Sequence, residues 1–408
     1  MTSNEIKLAD NTITTDELEN LSKWVTSNPQ LTKGDLTLEF ERIFADYIGS
    51  QYAIYVNSGS SANLLMIYSL LESGRLRNKQ AIVPAVSWIT TLSPLVQLGF
   101  TPHLCESDSE TLGVDLNHFE QLCKEHRPAV AIIVHVLGHP NKMKELVSIC
   151  QKYDVLLLED ACEALGTVQD YNKLGNFGVA GSFSFYYGHH ISTIEGGMVT
   201  SNDNELYNIM LSIRSHGWSR DVEGYYKVSW AKEHNIDPVR ELYTFYYPGF
   251  NLRSTDLNAF LGISQMQKID EIAERREQNF IQYQSRLAKR FYCQTSRFDK
   301  LSSFAFGTFV SNRLEVYKHL KANKIEIRPL ICGSLGKQPF WVKKYGETSL
   351  PVADIVHEFG IYLPNHLGID EHQIDFICDK FLEVAQPMFP YKAELAKQNQ
   401  SHTSKAII

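Results

Sequence analysis

Four stretches of this 408-residue chain carry side chains of the kinds that bind anions or move protons. Asn57-Ser58-Gly59-Ser60-Ser61-Ala62-Asn63 follows an apolar run and opens a helical one. Small residues there let the backbone approach an anion, and the free N–H groups and dipole of a helix start favour phosphate; a plain serine-capped turn has the same composition. Leu156-Leu157-Leu158-Glu159-Asp160-Ala161-Cys162-Glu163 is an apolar strand ending abruptly in acids. A carboxylate at a strand's carboxyl end could pair with a protonated ring nitrogen such as a pyridinium, although Asp160 or Glu163 as a helix N-cap is the commoner fate of such acids. The third stretch, from Ser182 to Met198, contains the adjacent pair His189-His190 and then Glu195-Gly196-Gly197. The fourth is Gly249-Phe250-Asn251-Leu252-Arg253-Ser254-Thr255-Asp256-Leu257.

Metal chemistry is the first reading that paired histidines invite. Adjacent residues of an extended chain point to opposite faces, however, so His189 and His190 do not easily share one ion. His135 and His139 have a zinc-like spacing but close an apolar strand and read as structural turn residues. Seven scattered cysteines, none in a C-x-x-C pair, read as buried reduced thiols of a cytoplasmic protein.

Elements must hold these segments in place. Apolar runs suited to buried strands recur at 53–56, 81–86, 129–136 and 155–158, and helical periods at 63–72, 116–124 and 143–153 alternate with them. That alternation predicts an α/β fold with a mostly parallel sheet covered on both faces, its ligands gathered at the carboxyl ends of the strands. Residues 255 to about 291 read as one long amphipathic helix entered through Ser254-Thr255-Asp256, which puts a domain boundary near 255. Beyond it, 304–310, 314–323 and 325–329 read as a smaller α/β lobe, and the polar stretch from about 390 as a frayed end. A composition that is 43% hydrophobic supports a large core. The formal charge of -8, without a basic run, supplies no footprint for nucleic acid or an anionic membrane, and no secretory or membrane-spanning pattern is present, so a cytoplasmic location is expected.

Taken together and in order, the motifs carry a resemblance. The turn from Asn57 to Ala62, Val83-Pro84-Ala85 with Trp88, His135-Val136-Leu137-Gly138-His139-Pro140, Glu159-Asp160-Ala161, the Ser182 to Gly197 block and the Asn251 to Leu257 stretch are similar to those of the DegT/DnrJ/EryC1/StrS sugar aminotransferases, from about Ile6 to about Ala385. The resemblance implies a fold-type I, aspartate aminotransferase-like enzyme dependent on pyridoxal 5'-phosphate (PLP). It would have a large cofactor-binding domain at 1–254 that includes an N-terminal helical segment, a smaller C-terminal α/β domain at 255–390 and a flexible tail at 391–408. Active sites would be shared within a homodimer. The family carries its Schiff-base lysine six residues before the Glu of Glu195-Gly196-Gly197, in a pattern like F-x-x-x-K, and His189 stands there instead. Histidine cannot hold the cofactor covalently but can move a proton near neutral pH.

That substitution resembles the ketosugar 3-dehydratase branch of the family. Gly188-His189-His190, His216-Gly217-Trp218-Ser219-Arg220-Asp221 and Leu242-Tyr243-Thr244-Phe245-Tyr246 are similar to its cluster-free form, which acts on GDP-4-keto-6-deoxy-D-mannose in colitose biosynthesis for O-antigen lipopolysaccharide. A second form acts on CDP-linked ketosugars with an iron–sulfur cluster and an external reductase. No cysteine lies between Gly217 and Asn251 to ligate such a cluster, so none is expected. The resemblance implies glutamate as amino donor, pyridoxamine 5'-phosphate as the aminated cofactor, loss of the sugar's C3 hydroxyl and release of ammonia. His189 would be the proton-transfer group and Asp160 the partner of the cofactor's ring nitrogen. Trp88, which in most proteins would be core, would stack on the ring; Glu163 would approach its hydroxyl; Gly59, Ser60 and Ser184 would hold the phosphate, and Asn251 a neighbouring subunit's phosphate. Arg220 and Gln338 are candidates for the nucleotide-sugar. The aromatic run from Tyr243 to Tyr247 reads as packing or, with shared active sites, an oligomer seam. Loss of the lysine also leaves open an inactive, cofactor-bound sensor, although Asp160, Ser184, Trp88 and the Glu195-Gly196-Gly197 turn are all kept.

Overall fold

The apolar runs form strands of five residues each, and the helical periods between them pack on both faces of the sheet they build. In the computed structural model, which describes residues 5–390, the chain begins with helices α1 (Thr15–Thr26) and α2 (Asp35–Ile48). It then alternates through β1 (Tyr52–Val56), α3 (Gly59–Glu72), β2 (Gln80–Pro84), α4 (Ile89–Gln97), β3 (Thr101–Cys105), α5 (Leu116–His126), β4 (Val130–Val134), α6 (Met143–Tyr153) and β5 (Leu156–Asp160). A two-residue hairpin follows, β6 (Val168–Gln169) and β7 (Asn172–Lys173), then β8 (Ala180–Ser184) and β9 (Gly197–Ser201). The seven-stranded sheet has the order β1-β9-β8-β5-β4-β2-β3 and is parallel except at β9, which runs antiparallel to both neighbours. This is the mixed, mostly parallel α/β sheet that the alternating pattern predicts. Apolar side chains cover it on both faces.

Past β9, α7 (Asn204–Arg214), α8 (Gly224–Glu233) and α9 (Pro238–Glu241) lead to a break in the expected long helix. In place of one helix over 255–291 there are two, α10 (Asp256–Met266) and α11 (Ile269–Leu287), joined through Gln267 and Lys268. Their partners lie in different directions. α10 packs on α1 and α2, closely enough that a Cβ on Gly262 would sit 2.6 Å from the Phe40 ring, whereas α11 packs on α15 (Glu371–Val384). Lys268 sits at φ -108, ψ -2, where a helix bends, and its ammonium pairs with buried Glu17. A single amphipathic period conceals a change of partner.

The smaller sheet, order β10-β12-β11, is formed by β10 (Phe306–Phe309), β11 (Arg328–Pro329) and β12 (Gly360–Leu363), all antiparallel. With it go α12 (Arg313–Ala322), α13 (Pro339–Tyr345) and α14 (Pro351–Phe359), and α11, α12, α15 and the small sheet enclose a third apolar core. The expected strand over 325–329 is reduced to its last two residues, Arg328–Pro329. Ile6 bridges Ile325, and Leu8 donates its N–H to Glu326 at 3.0 Å, so the N-terminal segment crosses to the small sheet. The tail expected at 391–408 lies outside the described residues. Among the described residues no helix is long and apolar enough to cross a membrane, and all seven cysteines are free.

Candidate active site

Strand register brings the chemical residues together at the carboxyl ends of the parallel strands. Gly197, the first residue of β9, pairs with Val56 on one side and Ser184 on the other, so the end of β8 lies beside the turn that follows β1. In that turn Ser58 caps α3, its hydroxyl accepting from Ser61 N–H at 3.1 Å, and the N–H groups of Gly59 and Ser60 are left without a helical acceptor. The contact demands glycine: a Cβ on Gly59 would sit 2.7 Å from Ser184 Cβ. The free N–H groups of the helix start and the hydroxyls of Ser60 and Ser184 line the same cavity wall, donors of the kind that can hold an anion.

Beside the cradle opens a cavity of about 410 Å³. Its walls include Gly59, Ser60, Trp88, Asp160, Glu163, Ser184 and His189, seven of the residues named from sequence. Trp88 is not core: 56% of its surface is uncovered, directly over this cavity. Neither Asp160 nor Glu163 caps a helix, because β5 runs into turns rather than a helix. Asp160 is buried at the end of β5; its Oδ2 accepts from Asn63 Nδ2 and from Thr91 Oγ1, both at 2.8 Å, and its Oδ1 from Cys162 N–H at 3.2 Å. Ser182 Oγ in turn donates to Asn63 Oδ1 at 2.7 Å. Glu163 accepts the N–H of Leu137 at 2.8 Å, and burial raises its carboxyl to about 7.

His189 is reached through the loop that joins β8 to β9. Its Nδ1 lies 2.8 Å from the Cys162 carbonyl, which accepts only, so the proton is on Nδ1 and Nε2 carries the lone pair. Burial is the main reason its pKa falls to about 4, and the ring is neutral at physiological pH. Gly188 before it has φ +89 and faces Ala9, where a Cβ would approach Ala9 Cβ to 2.6 Å. His190 turns the other way, buried and donating from Nε2 to the Ser302 carbonyl at 3.0 Å. His135 meets Glu159 at 3.1 Å and His139 meets Ser296 Oγ at 2.9 Å, both in the interior. Among the described residues no group of three or more His, Cys, Asp or Glu could hold a metal.

Three non-glycine residues at this site have positive φ: Leu137 (52), Ile194 (70) and Ile331 (51). Two are β-branched, a rare combination outside strained sites. Sequence motifs had not marked Asn63 and Thr91 as partners of Asp160, nor Leu8, Ala9, Phe304, Arg328 and Tyr362 as cavity walls. Asn63 was legible only as the last residue of the serine-rich turn. Three sequence candidates lie outside the cavity. Asn251 is exposed, with its backbone bridging Ser215; Arg220 is exposed and stacks on Trp218 at 4.7 Å; Gln338 donates to the Cys332 carbonyl at 2.7 Å. Among the described residues no lysine lines the cavity, and Arg328 is the one arginine that does.

These donors fit a phosphorylated pyridine: an anion cradle, an uncovered aromatic face, a carboxylate held by neutral donors, and a neutral imidazole. A profile of the DegT/DnrJ/EryC1/StrS aminotransferase family matches residues 11–382. The chain is 33% identical over 371 residues to a GDP-4-keto-6-deoxy-D-mannose 3-dehydratase of Yersinia pseudotuberculosis, covering 88% of this chain and 93% of that one. Among solved structures it is similar to the E. coli GDP-4-keto-6-deoxy-D-mannose-3-dehydratase with bound hydrated PLP, with a TM-score of 0.84 and 30% identity over 93% of this chain and 99% of the other. A GDP-4-keto-6-deoxymannose-3-dehydratase with a trapped PLP-glutamate geminal diamine also matches, with a TM-score of 0.84 and 29% identity over 92% and 100% of the two chains.

Proposed function

The chain belongs to the DegT/DnrJ/EryC1/StrS aminotransferase family, and from that premise we propose that it is a PLP-dependent 3-dehydratase of a nucleotide-linked 4-keto-6-deoxyhexose, GDP-4-keto-6-deoxy-D-mannose by preference. One observation carries the reading: the cavity holds a neutral histidine with its lone pair on Nε2 and, among the described residues, no lysine. Gly59, Ser60 and Ser184 would hold the cofactor's phosphate, Trp88 its ring face, Asp160 its ring nitrogen and Glu163 its ring hydroxyl. When bound as the amine, the cofactor supplies a nucleophile for the C4 ketone and an electron sink. His189 Nε2 accepts the proton whose departure lets the C3 hydroxyl leave. Asp160, fixed in place by Asn63 and Thr91, would face the ring nitrogen. A lysine at 189 would retain the cofactor covalently and favour an amino sugar; histidine removes that route.

Glutamate is the proposed amino donor. The balance is then one sugar and one glutamate to the 3-deoxy-4-ketosugar, 2-oxoglutarate and ammonia, the sugar's lost oxygen matched by the one glutamate gains. The absence of cysteine from Gly217 to Asn251 supports a cluster-free enzyme without an external reductase. The exposed rings of Tyr243 and Phe245, 70% and 55% uncovered, support a homodimer seam, across which Asn251 would reach the partner's phosphate. Arg220 and Gln338 are proposed on the nucleotide side, 254/255 as the domain boundary and the cytoplasm as the location. The test is incubation with PLP, glutamate and GDP-4-keto-6-deoxy-D-mannose. Ammonia and a product one oxygen lighter are expected; an amino sugar, or turnover only of a CDP-linked ketosugar with a reductase, would overturn the reading.

A further inference from the structure

Against the backbone of the histidine loop lies a buried cation with no counter-charge among the described residues. Arg276 of α11 is 2% exposed and, among the described residues, forms no ion pair. Its guanidinium is satisfied by peptide carbonyls instead: Nη1 donates to Ser303 O at 3.3 Å, Phe304 O at 2.9 Å and Asn365 O at 2.5 Å, and Nη2 to His189 O at 3.5 Å. Asn365 Nδ2 returns bonds to Arg276 O at 3.0 Å and Ser303 O at 3.1 Å. The Phe304 ring lies between the charged and the neutral partners, 5.8 Å from the guanidinium, 5.2 Å from the His189 ring and 6.1 Å from the His190 ring. A buried charge without a carboxylate is costly, and Nε is left with no acceptor at all. Such a cost is tolerated where the charge serves a neighbour.

We propose that Arg276 is a positioning residue for His189, tethering the histidine's backbone carbonyl to the entry of the small sheet and holding an unpaired guanidinium beside the histidine loop. The inference rests on the proton-accepting role assigned above to His189. A planar fork reaching carbonyls of three separate segments is a task for arginine rather than lysine. Burial lowers the guanidinium to about 9, which leaves it charged at neutral pH. The other groups around His189 are Asp160, which opposes the effect, the Cys162 carbonyl, which holds Nδ1–H, the chain neighbour His190, and Glu163 and Glu195 in the same cavity wall. Burial is the main reason that His190 and His366 are also pushed down, and the Arg276 charge adds to it in both.

The test is a histidine NMR titration of the PLP holoenzyme, with the His189 signal assigned by its loss in His189→Asn, alongside the pH profile of turnover. In Arg276→Met the His189 midpoint should rise, and the acidic limb of kcat should move up with it, while Arg276→Lys keeps the low midpoint. A His189 midpoint unchanged in folded Arg276→Met overturns the proposal. Arg276→Gln, which retains donors without charge, gives the same reading if the methionine variant does not fold. The titration needs no sugar substrate, so failure of the dehydratase assignment would show as absent turnover in the wild type with the His189 shift intact.

Discussion

At His189 the Cys162 carbonyl fixes the tautomer before any substrate arrives, leaving on Nε2 the lone pair that the proposed reaction would use. His189→Asn should retain PLP, read by its absorbance, and lose about 10²- to 10⁴-fold in dehydration rate, the usual worth of a positioned base. His189→Lys should produce the absorbance of lysine-linked cofactor. Glu163 sets a different pH dependence. Its carboxyl is lifted from the ordinary 4.5 to about 7 by burial, so the folded protein holds a proton there that the unfolded chain has released. The stability this contributes is complete below about pH 4.5 and is lost as the pH rises through about 7. The melting temperature of the apo-protein should therefore fall more steeply between about pH 5 and 7.5 in the wild type than in Glu163→Gln; equal slopes would show that Glu163 titrates normally.

Among the elements, the junction of β1, β9 and β8 and the loop after α7 carry the most consequence. Gly59→Ala puts a methyl group where Ser184 already stands, at 2.7 Å, so the start of α3 must move away from the proposed phosphate position. Loss of one bond to a charged group corresponds to about ten- to a hundredfold in PLP affinity, measurable by fluorescence titration. The loop after α7 hangs on Arg214, fully buried and paired with Glu41 at 2.5 Å and Asp221 at 3.3 Å, with a further bond to the Tyr55 carbonyl at 3.1 Å. Asp221 is met from the other side by Lys33 at 3.2 Å. Arg214→Met strands Glu41 in the interior and should cost about 3–5 kcal/mol in denaturant unfolding. A loss below about 1 kcal/mol would mean that water replaces the arginine.

For the whole molecule, the proposed two-fold dimer with shared sites makes a quantitative prediction. If His189 comes from one subunit and Asn251 from its partner, mixing inactive His189→Asn with inactive Asn251→Asp rebuilds one intact site in each mixed dimer. Random exchange then restores roughly a quarter of wild-type activity. Restoration of nothing, with exchange demonstrated by mass, would remove Asn251 from the partner's site.

The sequence by itself determined the layered α/β architecture, because alternating apolar runs and helical periods have few other ways to be buried. It also marked residues that line the cavity: the turn at Gly59, Asp160 and Glu163 at the end of β5, and His189. These signals are local, carried by neighbours in the chain. Tertiary structure alone decided what lies between segments far apart in the chain. Asn63 and Thr91 reach Asp160 across 97 and 69 residues, and Arg276 reaches His189 across 87. No periodicity records such pairings. The split of the expected long helix into α10 and α11 has the same origin, since the apolar stripe runs on while its partner changes from the large sheet's helices to α15. Local pattern chose which residues are buried, and packing chose against what.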